Sequence, residues 1–187
     1  MREKRATWSE QIKQISPEKI VCIDESGVNT DMTRRYGRAM KGERAVDDVP
    51  LHTPVSTTIL SSIRLNGETA YTVYKGGTTG DIFVNYIKDI LIPTLNAGDV
   101  IIMDNMRSHH VKAVKEVIED AGMKLLYLPP YSPDLNPIEQ MWSKIKSVLR
   151  KLKVRVAAEL PDAIKTAFSH VTNDDCKGWF KATGVLG

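Results

Sequence analysis

Cysteine is nearly absent: Cys22 and Cys176 are the only two in 187 residues. Neither belongs to a CxxC pair, and two thiols so far apart suggest neither a disulfide framework nor a zinc site. A reducing cytoplasmic or nucleoid setting is the default. Long apolar runs are also missing. Segments such as Val100 to Met103 fall far short of the roughly 20 residues that cross a bilayer, so no membrane role is expected. The start, Met1-Arg2-Glu3-Lys4-Arg5 leading into Trp8-Ser9-Glu10, has no apolar stretch of the signal-peptide kind. Internal repeats and low-complexity tracts do not occur. Net charge is small as well, +3 from 26 basic and 23 acidic residues, and by itself it says little about partners.

What is present suits one globular domain with a real core, since 42% of the residues are hydrophobic and 26% charged. The basic charge is clustered. Gln140 to Arg155 holds Lys144, Lys146, Arg150, Lys151, Lys153 and Arg155 with no acid among them. A second cluster, Arg34, Arg35, Arg38, Lys41 and Arg44, contains only Glu43 as a counter-charge. Brought together by the fold, the two could line a groove for a polyanion; taken singly, each reads equally as a solvated helix face or loop.

Periodicity supplies the elements. Lys19 to Asp24, Asp99 to Asp104 and Lys124 to Leu128 are short runs apolar at consecutive positions, the pattern of strands buried on both faces. The first two end in a carboxylate. Val55 to Leu65 and Thr69 to Lys75 form a predicted hairpin about Asn66-Gly67. Helices are predicted over Thr79 to Leu91, from a Ser108 cap to Gly122, and from Asn136-Pro137 along Ile138, Met141, Trp142, Ile145, Leu149 and Leu152, with two shorter ones from Pro161 and Asp174. Strand, hairpin, helix, strand, helix, strand, long helix describes an α/β fold, a mixed sheet with helices on its faces.

In open α/β sheets, ligands gather beyond the carboxyl ends of the strands. Asp24 and Asp104 belong there, and on neighbouring strands they would converge. Paired carboxylates repel and raise each other's pKa unless a hard divalent cation such as Mg²⁺ lies between them. Glu139, on the first turn of the long helix, is a third candidate. Each also has a plainer reading, as a turn-capping aspartate or as the helix-capping acid three residues after Asn136. The run Pro129-Pro130-Tyr131-Ser132-Pro133-Asp134-Leu135-Asn136-Pro137 favours the site, because four prolines in nine residues make a stiff approach that fixes where the helix starts.

Asp24-Glu25-Ser26, Met103-Asp104-Asn105 with His109, and Ser132-Pro133-Asp134-Leu135-Asn136-Pro137-Ile138-Glu139 resemble the catalytic domain of bacterial insertion-sequence transposases of the mariner superfamily, which are DDE transposases with a ribonuclease H-like fold. The likeness runs from about Ile20 to Gly184. It implies a linker or helix over 1–18, a catalytic domain over 19–156 and C-terminal helices over 157–187 packed on the same domain. It implies that Asp24, Asp104 and Glu139 hold two Mg²⁺ or Mn²⁺ ions, cut double-stranded DNA at transposon ends and join the freed end to target DNA, typically at TA sites. Asn105, His109 and Asn136 would orient ligands or phosphate. Lys144, Lys146, Arg150, Lys151 and Lys153 would contact the DNA backbone, and two copies would bridge paired ends as a homodimer. A ribonuclease H-type nuclease and a catalytically silent DNA-binding remnant are the competing readings. The first acid arrives at residue 24, so the helix-turn-helix region that such transposases use for end recognition is expected on a separately encoded segment or to be lost from a truncated copy.

Overall fold

The structure is a computed structural model that describes residues 2–34, 36–51, 54, 56–105 and 112–186. Five strands make one sheet in the order β3-β2-β1-β4-β5, with β1 at Ile20–Val28, β2 at Thr57–Arg64, β3 at Tyr71–Lys75, β4 at Val100–Met103 and β5 at Lys124–Tyr127. The hairpin strands pair antiparallel with each other and with β1, while β1, β4 and β5 run parallel. The hairpin turns where Asn66-Gly67 predicts it. The Gly67 N–H donates to the Arg64 carbonyl at 3.0 Å. Its φ of 86° favours glycine, and a Cβ there would stand 2.6 Å from Asn173 Oδ1, so that side chain would have to shift.

The unbroken apolar strands bury both faces of the sheet. Ile20 and Cys22 point to one side, with Ile102, and meet α1 (Arg2–Lys13), α4 (Ile138–Leu152), α5 (Leu160–Ser169) and α6 (Asn173–Ala182). Val21 and Ile23 point to the other, with Ile101 and Met103, against α2 (Gly80–Asn85) and α3 (Lys112–Asp120). Helix α1 therefore contributes to the core: its Trp8 and Ile12 are buried in the same cluster as Leu128, Ile138, Met141 and Trp142. Among the described residues, no helix is long and apolar enough to cross a membrane.

Several elements depart from their predicted extents. Strand β1 does not stop at Asp24 but continues four residues to Val28, because β2 keeps pairing there after β4 has ended. The helix predicted over 79–91 is α-helical only to Asn85. It then widens into a π-helical turn, Tyr86–Leu91, that buries Tyr86, Ile87 and Leu91 together, and it closes through a 3₁₀ turn at Ile92–Thr94. On α4 the buried stripe includes Val148, whereas Leu152 is exposed at the helix end. The predicted Ser108 cap and His109 lie outside the described residues.

Candidate active site

The parallel register fixes where the first two acids meet. Cys22 pairs with Ile102, and two residues further along each strand come Asp24 and Asp104, which line the same cavity. Alternation turns both toward the face covered by α4, the side that Cys22 and Ile102 already occupy. Parallel pairing ends before this point, which opens the strand ends into a cavity of about 480 Å³. Asp24, Asp104 and Glu139 all line it, together with Asn105, Asn136 and the turn from Leu128 to Pro133.

Each acid is positioned by a different element. Asp24 sits inside β1 and is buried. Its Oδ2 accepts a hydrogen bond from Trp142 Nε1 at 3.0 Å. Asp104 follows the last residue of β4 and is half-buried. Glu139, the second residue of α4 and the most exposed of the three, is aimed by the proline-rich turn. That turn is tied by hydrogen bonds as well as stiffened by its prolines. The N–H groups of Leu135 and Asn136 donate to the carbonyls of Ser132 and Pro133 at 3.1 and 2.9 Å, and the Glu139 N–H donates to the Asn136 carbonyl at 3.2 Å. Asn136 is buried and its Oδ1 accepts from the Ile138 N–H at 3.4 Å, so it sets the helix start. Asn105 donates from Nδ2 to the Leu128 carbonyl, tying the end of β4 to the start of the turn.

Among the described residues, burial and like charge dominate the electrostatics of Asp24 and Glu139. Burial, with the charges of Glu139 and Glu25, pushes the Asp24 pKa up to about 7, against the opposing Glu25 N–H and the Trp142 bond. Partial burial of its carboxyl also raises the Glu139 pKa; Lys146 pulls it back and the Asp104 charge adds to the rise. The donors are all hard oxygens, which suits Mg²⁺ or Mn²⁺ and not a soft metal. Among the described residues, no group of three or more His, Cys, Asp and Glu is drawn tightly enough about one point to hold an ion as it stands. Mutually repelling carboxylates are expected to stand apart until a cation offsets their charge.

Reading by sequence places all three acids in one cavity but overlooks Trp142 Nε1. It assigns Trp142 to the core, where the residue does lie, 3% exposed. The missed signal is spacing: a polar-tipped aromatic three positions after Glu139 shares its helix face and looks back at the strand carrying Asp24. The basic residues divide. Lys144 is paired with Asp175, Lys153 with Asp47, and Arg155 donates to the carbonyls of Thr30 and Met32 at 3.0 and 3.2 Å. Lys146, Arg150 and Lys151 have no ion-pair partner among the described residues. The two basic clusters do approach each other, since Arg34 and Arg150 line one groove with Tyr36 and Ser147.

A family model described as DDE superfamily endonuclease matches residues 19–160. The chain belongs to this family. Among characterised proteins, the Tcb2 transposase of a Caenorhabditis briggsae transposable element is 29% identical over 91 residues, 49% of this chain and 33% of Tcb2. Among solved structures, the Mos1 transposase paired-end complex with the left transposon end matches 96% of this chain and 56% of its own, at 17% identity and a TM-score of 0.79. The catalytic domain of Mos1 mariner transposase matches 97% of this chain and 85% of its own, at 15% identity and a TM-score of 0.73. Mos1 paired-end complexes were also solved with Mn and with Mg. The DDE endonuclease chain thus spans a third of Tcb2 and just over half of the Mos1 chain in the paired-end complex. The likeness to Mos1 establishes the ribonuclease H-like fold.

Proposed function

We propose that this chain is the catalytic domain of a transposase from the bacterial insertion-sequence branch of the mariner superfamily, cutting DNA at transposon ends and joining the freed strand to target DNA. The reading rests above all on the convergence of Asp24, Asp104 and Glu139 in one cavity of a DDE family member. These three carboxylates would hold two Mg²⁺ or Mn²⁺ ions. When bound, the ions supply Lewis-acid activation and charge neutralisation to the oxygens that attack and leave in an in-line displacement at phosphorus.

The protein's own groups prepare that chemistry. Asp24 lines the cavity with its carboxylate held by the Trp142 N–H, which fixes its orientation for a ligand role. Asp104 follows from the adjacent strand, and the rigid turn presents Glu139 from the far side. Lys146, Arg150 and Lys151, joined by Arg34, offer phosphate contacts that carry no sequence information. Tyr131, which lines the cavity and is 89% exposed, is free to stack on a nucleobase near the cleaved bond. Water cleaves one phosphodiester to leave a 3′-hydroxyl and a 5′-phosphate, and attack by that hydroxyl on a target phosphodiester forms one such bond as it breaks another and releases a target 3′-hydroxyl, so no energy cofactor is consumed. A homodimer bridging two ends and a preference for TA targets complete the proposal.

The test is cleavage and joining of duplex DNA in Mn²⁺, with Asp104→Asn beside the unaltered chain. Loss of at least about a thousandfold in rate is expected, the scale of removing a group that acts only in the transition state. Equal cleavage by both proteins, or Mn²⁺ binding by calorimetry that is unchanged in Asp24→Ala, would refute the assignment.

A further inference from the structure

The helix α1 reaches the candidate site through one side chain. Arg5, Trp8 and Ile12 are spaced i, i+3, i+7 and so share a face. Trp8 and Ile12 are 4% and 1% exposed and anchor that face in the core beside Leu128 and Ile138. One turn earlier, Arg5 extends over the proline-rich turn. Its Nη1 donates to Ser132 Oγ at 2.8 Å and to Asp134 Oδ1 at 3.0 Å, and its Nη2 donates to Asp134 Oδ2. This is a two-pronged guanidinium–carboxylate pair with a third bond to a buried hydroxyl, a geometry that a lysine cannot reproduce. Ser132 Oγ in turn donates to the Pro130 carbonyl at 3.2 Å. The turn so held contains Tyr131 in the left-handed region, φ 55°, a conformation that a non-glycine residue keeps only when its surroundings enforce it.

We propose that Arg5 is a positioning residue for Glu139: it clamps Ser132 and Asp134, fixes the turn that starts α4, and makes the placement of the third carboxylate depend on the docking of α1. The inference rests on the reading of Glu139 as an ion-holding carboxylate. The mechanical path is short. Ser132 accepts from Leu135, Pro133 from Asn136 and Asn136 from Glu139, so loosening the turn at Ser132 loosens the first turn of α4 in series. The pair itself lies partly in solvent, and an exposed pair adds little to global stability. Its effect is therefore local order.

The decisive measurement is amide hydrogen exchange of the whole chain, metal-free, comparing Arg5→Ala and Arg5→Lys with the unaltered protein. Arg5→Ala should speed exchange at Leu135, Asn136 and Glu139 about tenfold and leave Ile23 and Ile102 unchanged, those strand amides reporting that the fold is intact. Arg5→Lys should fall between. Mn²⁺ affinity by calorimetry should drop about fivefold in Arg5→Ala and be partly restored in Arg5→Lys. Unchanged exchange across the turn overturns the clamp. Faster exchange with unchanged Mn²⁺ affinity overturns its role in placing Glu139. Should the unaltered chain bind no Mn²⁺, the ion site itself fails, and exchange still decides Arg5: acceleration that reaches Glu139 supports the proposal, and acceleration that stops at Leu135 overturns it.

Discussion

Two buried aspartates lie at opposite ends of the parallel strands, and their surroundings differ in kind. Asp99, just before β4 and 2% exposed, accepts from Arg64 Nη1 at 2.8 Å and from the Asn96 N–H at 2.9 Å. The same guanidinium donates to the Glu18 carbonyl at 3.0 Å, so one cation ties the entry to β1, the end of β2 and the entry to β4. Asp24, 9% exposed, has no Lys, Arg or His paired with it among the described residues, and its charged neighbours are Glu139 and Glu25. A protein that buries a carboxylate for stability supplies its cation, as at Asp99. A carboxylate buried among other carboxylates costs stability, and the arrangement makes sense if the cation comes from solution.

If that contrast is right, removing the cation at one end should hurt and removing the charge at the other should help. Arg64→Ala leaves Asp99 buried with only a backbone donor. The expected loss is about 3 kcal/mol of folding stability, the lower end of what breaking a buried ion pair costs, measured by urea unfolding at pH 7. A loss under about 1 kcal/mol would mean that Asp99 is served by Asn96 alone, and the contrast would fail at its stable end.

Asp24→Asn should act in the opposite direction, and only above a certain pH. The folded-state pKa of Asp24, about 7, lies above the roughly 3.9 of an unfolded aspartate. Between those values the folded chain holds a proton that the unfolded chain has lost, so stability from this group is full below about pH 4 and falls as pH rises through 7. The variant escapes that decline. In metal-free buffer it should match the unaltered protein near pH 4 and exceed it by roughly 2 kcal/mol at pH 8, read as the midpoint of urea unfolding. Added Mn²⁺ should stabilise the unaltered protein and leave the variant where it was. A variant less stable than its parent at pH 8 without metal would show that the Asp24 charge is already neutralised by the protein.

The contrast also separates what sequence could reveal from what it could not. Convergence of Asp24 and Asp104 was legible, because consecutive apolar residues specify central strands and a carboxylate after such a run has a defined end to occupy. The stiffness before Glu139 was legible in its prolines. The continuation of β1 through Glu25-Ser26-Gly27 was not, since nothing local favours a strand there; it exists because β2 is long enough to pair with it. The fates of the basic residues were equally hidden. Lys144 and Lys151 look alike in sequence, yet Asp175, fixed by Thr172 in a capping box at the start of α6, claims only Lys144. Burial of Trp142 followed from periodicity, but the partner of its N–H lies 118 residues away on another element. Side-chain pairings of this range come from packing and not from local pattern.

That Trp142 bond yields the smallest and most specific test. Because Asp24 must lose its proton before it can bind a cation, Mn²⁺ affinity should fall about tenfold for each pH unit below 7 and level off above it. The Trp142 N–H stabilises the charged form of Asp24 and holds the pKa below where burial alone would put it. Trp142→Phe keeps an aromatic ring against Phe168, now 6.4 Å away and edge-on, and deletes only the donor. The point where the affinity levels off should then move up by roughly half a pH unit to one unit, equivalent to about 1 kcal/mol. Affinity at pH 9, where Asp24 is ionised in both proteins, should change far less. An equal loss of affinity at every pH would instead mean that the indole fixes the direction of the carboxylate and not its charge. A curve superimposable on that of the unaltered protein would mean that water replaces the donor and that Asp24 owes its poise to burial and its acidic neighbours alone.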